Sequence, residues 1–81
     1  MSINVCFYSY FKDLTGCART TETMPEGSTL ADLFKSVSAK FPKLGAMHKS
    51  TLMAVGLDYQ DRNHVLRDGD EVSFFPPVQG G

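Results

Sequence analysis

Cysteine, clustered charge and long apolar runs are all scarce in this chain, and each scarcity excludes a class of protein. Cys6 and Cys17 are the only thiols in 81 residues. Two are too few for a disulfide-stapled scaffold or for an iron–sulfur cluster held by four thiolates. If residues 3–10 and 18–24 pair as a hairpin about Thr15-Gly16, Cys6 faces a position near the far end of the second strand rather than Cys17. A bridge needs Cα atoms within about 7 Å, so two reduced thiols are expected. The eight Lys and Arg residues are scattered among nine acids, with a formal net charge of −1. Without a basic block to neutralise a phosphate backbone or an anionic bilayer, neither nucleic acid nor membrane is expected as a partner.

No apolar run approaches the roughly 18 residues of a membrane span. Met1-Ser2-Ile3-Asn4 also lacks the basic segment and apolar stretch of a signal peptide. A cytoplasmic, soluble protein is the expectation. A chain of 81 residues holds one modest core and has no room for a second lobe around a substrate cleft, so a self-contained enzyme is not expected. His48 and His64 have no ligand-like spacing with the cysteines and no evident triad arrangement with a serine or an acid, and read as surface histidines. Asp58, Asp61, Asp68 and Asp70 match no metal-binding loop and read as turn residues.

What is present is a regular alternation of short elements. Ile3, Val5 and Phe7 alternate with Asn4, Cys6 and Tyr8, the period-2 pattern of a strand with one apolar face. After the polar Lys12-Asp13-Leu14-Thr15-Gly16 segment, the threonine-rich stretch from Ala18 to Met24 suits a second strand, closed by the turn signal Pro25-Glu26-Gly27. Thr29-Leu30-Ala31-Asp32 has the form of a capping box, with Asp in place of the usual Glu or Gln. Leu30, Leu33, Phe34, Val37 and Phe41 then recur at helical intervals until Pro42. Leu52 to Leu57 has strand length, and Asp68-Gly69-Asp70 is a turn leading into Glu71-Val72-Ser73-Phe74-Phe75. Periodicity assigns no element to residues 43–50 or 58–67.

The order hairpin, helix, strand, strand predicts an α+β layer, most economically a ubiquitin-like β-grasp with a mixed sheet packed on one amphipathic helix over residues 1–75. Pleat alternation sends Val72 and Phe74 to the core and leaves Phe75 exposed on the opposite face. Aromatic residues are enriched at interface centres, which makes Phe75 a candidate docking contact. Pro76 and Pro77 fix φ and offer no N–H, so sheet pairing should end there. Residues 76–81 then form a flexible tail that could reach roughly 20 Å when extended. Val78, Gln79, Gly80 and Gly81 complete it, and the Gly81 carboxylate is the candidate reacting group. Glycine has no Cβ and can pass through a channel too narrow for other residues.

The stretch from Asp68 to Gly81, and above all Phe74-Phe75-Pro76-Pro77-Val78-Gln79-Gly80-Gly81, closely resembles the small sulfur-carrier subunit of molybdopterin synthase. Val5-Cys6-Phe7-Tyr8 with Leu14-Thr15-Gly16, and Ser28-Thr29-Leu30, are similar to that family too. One departure is Val55-Gly56, where many members carry a polar residue such as Asn after the Val. The resemblance implies that an ATP-dependent adenylyltransferase, using ATP and Mg²⁺ of its own, adenylates the Gly81 carboxylate. A persulfide donor then converts it to a thiocarboxylate. It further implies that the tail enters a large catalytic subunit, in an expected heterotetramer, and delivers sulfur to a cyclic pyranopterin phosphate. Two transfers complete a dithiolene. This chain would bind no cofactor, and the acid–base residues would belong to the large subunit. A Gly-Gly end is also compatible with a ubiquitin-like modifier that forms an amide with a target lysine, with a sulfur carrier for thiamin or a sulfur amino acid, and with a non-reactive interaction module.

Overall fold

Among the described residues eight elements follow one another: β1 (Ser2–Phe7), α1 (Phe11–Thr15), β2 (Arg19–Thr23), α2 (Leu30–Lys40), α3 (Pro42–Gly45), β3 (Leu52–Val55), β4 (Asp58–Tyr59) and β5 (Glu71–Phe75). The computed structural model describes residues 1–47 and 50–76. The five strands form one sheet in the order β2-β1-β5-β3-β4. β1 and β5 run parallel at its centre, and the other neighbours are antiparallel. A mixed sheet with α2 across one face is the β-grasp arrangement expected from the order of elements.

The core forms where the period-2 and period-3.6 patterns meet. Ile3, Val5, Val72 and Phe74 are fully buried on the helix-facing side of the sheet, and Leu30, Leu33 and Val37 are fully buried on α2. Phe74 is the hub, with its ring centroid 5.5 Å from that of Phe34 and 6.0 Å from that of Phe7. The predicted capping box is present at the start of α2. The Asp32 N–H donates to Thr29 Oγ1 at 3.3 Å, and the Thr29 N–H donates to Asp32 Oδ2 at 3.0 Å. Asp is one methylene shorter than Glu, yet it closes the same reciprocal pair of bonds.

A polar contact fixes α2 against the edge strand β2. Glu22 points to the core side and is 6% exposed. Ser36 Oγ donates to Glu22 Oε1 at 2.7 Å, and Lys40 Nζ donates to Glu22 Oε2. A buried carboxylate is costly unless paired and hydrogen-bonded, and here both oxygens have partners.

Two expectations need correction, and a gap is filled. The segment between the first two strands is not a plain polar turn, because Phe11 is fully buried and residues 11–15 form the short helix α1. β1 therefore stops at Phe7, and the centre of the connection moves toward the N-terminus. Cys6 consequently faces Arg19, the first residue of β2, rather than a residue near its far end. Cys6 is also buried, at 7% exposure, because β1 has neighbours on both sides in the sheet; both cysteines are free thiols. Finally, residues 42–45 and 58–59 form the elements that periodicity left unassigned, and an isolated bridge joins Thr29 to Val65.

Candidate functional site

The sheet face away from α2 differs from the core face in both composition and exposure. Register places Cys6 between Arg19 and Ser73, and Ala54 between Ser73 and Tyr59, so one row crosses all five strands. Cys6, Ser73 and Ala54 form a floor of small, buried side chains. Beside this floor stand larger apolar groups that remain in contact with water: Tyr8 at 43%, Leu52 at 38% and Tyr59 at 68% exposure. Phe75 is among them, paired in register with Leu52.

Phe75 is half-buried rather than exposed as predicted. The cause is a pair of rings that alternation along β5 alone does not reveal. Tyr8 stacks on Phe75 at 4.7 Å between centroids with planes 14° apart, and the Tyr59 ring lies 6.0 Å away at 60°. Tyr8 directly follows β1 and Tyr59 belongs to β4, on opposite sides of β5. Tyr8 was visible in the sequence as an outward-facing residue of the first strand. Tyr59 could not be placed, since β4 spans only 2 residues and offers no periodicity.

Two backbone features position these rings. Ser9, with φ 56°, is the one non-glycine residue of positive φ among the described residues. Its left-handed turn ends β1 and leaves Tyr8 as the last residue in line with the strand. Gly56, at φ 61°, is the first residue of the two-residue loop joining Val55 to Asp58, and this loop returns the chain so that Tyr59 pairs with Ala54. The departure at Val55-Gly56 thus falls at a turn, where Gly and Asn are the residues that accept a left-handed backbone.

At the other end of the patch Arg19 lies 3.5 Å from Glu71, both side chains well exposed. The neighbouring Cys6 side chain and the Glu71 carboxylate hold the Arg19 guanidinium above its ordinary value. An exposed pair of this kind adds little stability.

Of the predicted tail, Pro76 is described and is half-buried; Pro77, Val78, Gln79, Gly80 and Gly81 lie outside the described residues, as does His48. The His64 carbonyl accepts from Leu30 N–H at 3.0 Å. Asp61 and Asp70 accept from the N–H groups of Asn63 and Arg67, as turn residues do, whereas Asp68 accepts from the N–H of Ser2 at the start of β1, a contact distant in sequence. Asp58 instead begins β4. No group of three or more metal-ligating side chains occurs among the described residues. No helix among them is long and apolar enough to cross a membrane.

A five-stranded mixed sheet wrapped on one helix, with an apolar outer face beside the last strand, defines a ubiquitin-like β-grasp protein. The chain belongs to the ThiS family, which it matches over residues 5–81. It is similar to the molybdopterin synthase sulfur carrier subunit of Escherichia coli, with 35% identity covering 98% of this chain and 99% of that protein. Among solved structures it is similar to a putative molybdopterin converting factor subunit 1 from Pyrococcus furiosus, with a TM-score of 0.88 and 26% identity over 96% of this chain and 99% of that one. SAMP1 of Haloferax volcanii superposes with a TM-score of 0.89 at 17% identity over the whole of both chains, a likeness of fold.

Proposed function

We propose that this protein is a sulfur carrier that works with a larger catalytic subunit in molybdopterin synthesis, with Gly81 as the residue that bears the sulfur. The observation that carries this reading is the match, over nearly all of both chains, to a molybdopterin synthase sulfur carrier subunit at 35% identity. The Phe74-Phe75-Pro76-Pro77 stem and Gly80-Gly81 end support it.

The chemistry needs little from the body of the domain. A terminal carboxyl has a reference pKa of about 3.3–3.7 and is ionised at neutral pH. It can attack the α-phosphorus of ATP, releasing pyrophosphate, without a base from this chain. The Mg²⁺ and cationic clamp belong to the adenylyltransferase. The terminal sulfur of a persulfide attacks the acyl adenylate and expels AMP. A second thiol then cleaves the resulting acyl disulfide, leaving the thiocarboxylate and a disulfide on the donor side. The product is a stronger nucleophile than the carboxylate; its sulfur bonds to a cyclic pyranopterin phosphate in the large subunit, and water then cleaves the acyl C–S bond, leaving the sulfur on the pterin and returning the Gly81 carboxylate.

In this reading the body presents the arm and docks it, with Phe75 and Leu52 on the apolar outer face as the contact. The test is intact-mass analysis of the full chain after incubation with a matching adenylyltransferase, ATP, Mg²⁺, a persulfide donor and a thiol. One oxygen-to-sulfur exchange is expected, and none in a Gly81-deleted control. An unchanged mass with the correct partner would overturn the reading. Thiol-stable, denaturation-resistant conjugates to lysines in cells would replace it with a protein modifier.

A further inference from the structure

The backbone contacts that hold β5 end abruptly at the stem of the arm. On the β1 side the last is Tyr8 N–H donating to the Phe74 carbonyl at 3.2 Å. On the β3 side the ladder closes at Leu52 and Phe75, the first residue of one strand and the last of the other. Pro76 has no N–H to extend either ladder. From there the direction of the chain depends on what holds the Phe75 side chain. Two rings hold it: Tyr8, in near-parallel contact at 4.7 Å, and Tyr59, inclined at 6.0 Å. Because they come from opposite sides of β5, they oppose a sideways swing of the strand end in both directions.

We propose that Tyr8 and Tyr59 are positioning residues for chemistry at the tail: by clamping Phe75 they set the direction in which the chain leaves Pro76. This inference rests on the sulfur-carrier reading, and it goes beyond docking by assigning the two tyrosines an effect on turnover. The clamp has leverage. Proline fixes φ at two successive positions, Pro76 and Pro77, which narrows the directions open to the chain just after the stem. The residues after Pro76 can span about 17 Å at roughly 3.4 Å each. A tilt of about 15° at the stem would shift the chain by about 2 Å two residues on, over roughly 7 Å of extended backbone. Misplacement of a reacting group by about 1 Å can cost 100-fold in rate.

The clamp and a docking patch predict different kinetics. A docking contact acts on the affinity for the partner and appears in KM. A positioning contact acts on the fraction of bound carriers with the carboxylate in line, and appears in kcat. The experiment uses the full chain with a matching adenylyltransferase, ATP, Mg²⁺, a persulfide donor and a thiol, following thiocarboxylate by intact mass at varied carrier concentration. Tyr8→Ala and Tyr59→Ala are each expected to lower kcat about tenfold with KM changed less than about twofold. Tyr8→Phe, which keeps the ring and loses only the hydroxyl, is expected to restore most of the rate. Thermal unfolding of each variant identifies any loss of rate due to loss of fold. If Tyr8→Ala does not fold, Tyr59→Ala, altered on the more exposed ring, carries the comparison.

Unchanged kcat in folded variants, or a loss confined to KM, would overturn the clamp while leaving the sulfur-carrier reading intact. Failure of Tyr8→Phe to restore the rate would overturn it too, since ring stacking does not need the hydroxyl. A wild-type chain that gains no sulfur would overturn the underlying reading and the clamp's role with it.

Discussion

Phe74 and Phe75 are adjacent in the chain and differ in almost every physical respect. Phe74 is fully buried, with the Phe7 and Phe34 rings around it, and it sits where the helix meets the centre of the sheet. Phe75 is half-buried between two tyrosines on the water side. One pleat separates them. The contrast extends to whole faces. The helix side is filled mainly by aliphatic and phenyl groups, with the paired Glu22 carboxylate at its β2 margin, whereas the outer side has a floor of small residues bordered by large, partly wet ones. A domain that needed only stability could make its outer face polar. This one leaves an apolar patch beside the strand from which the tail departs.

The largest expected effect lies on the core side. Phe74→Ala should cost about 3–5 kcal/mol, a large share of the stability of a small domain, and urea unfolding should show the loss. Phe75→Ala should cost less in folding, about 1–2 kcal/mol for a half-buried ring and its aromatic contacts. It should nonetheless weaken binding of the large subunit by at least roughly tenfold, the behaviour of an interface hot spot. Titration calorimetry beside urea unfolding separates the two. If Phe75→Ala instead destabilises as much as Phe74→Ala and binds normally once folded, the division between the faces fails.

The Glu22 contact tests whether the core face needs its buried carboxylate. Lys40→Met removes the ammonium while leaving Ser36 to donate to Glu22, and Lys40 is itself 48% exposed. About 1 kcal/mol of destabilisation is expected, below the usual cost for a hydrogen bond to a charged group because water can partly replace the lysine. Loading of the tail should be unaffected, since β2 lies on the far side of β1 from the stem. A variant that loads poorly while folding well would show that the two faces are coupled.

How much of this was legible in the sequence differs between the faces. Alternation in the first and last strands placed Ile3, Val5, Phe7, Val72 and Phe74 correctly, because a buried face imposes a period that single residues report. The Thr29 and Asp32 cap was legible for the same reason, since its partners are three residues apart. The outer site was only half legible. Phe75 was identified, but its burial depends on Tyr8 and Tyr59, which are distant in sequence and meet it only through the sheet order. The first connection was misread because Lys12, Asp13 and Thr15 mark it as polar, whereas Phe11 and Leu14, three residues apart, place one side of α1 against the core. That error shifted the Cys6 register from Arg19 to the wrong end of β2.

The smallest expected effect is also the one that ties the outer face to a single backbone angle. Gly56 has φ 61°, and a Cβ built there meets nothing within 4 Å. The penalty for a methyl at this position is therefore conformational rather than steric. An alanine should cost about 1 kcal/mol, the left-handed strain of an L-residue less the entropy it removes from the unfolded chain. Asparagine, which accepts this region, should cost a few tenths at most. The readout that connects this to the two faces is tail loading. Val55 and Asp58 flank the loop, and the strand it starts carries Tyr59 to Phe75. If a β-branched residue relaxes the loop to negative φ, Tyr59 shifts while the Phe74 core does not. Gly56→Val should then lower kcat for thiocarboxylate formation more than its loss in urea stability would suggest, and Gly56→Asn should leave both within error. Equal losses in Gly56→Asn and Gly56→Val would mean that the glycine is needed for something other than its backbone angle.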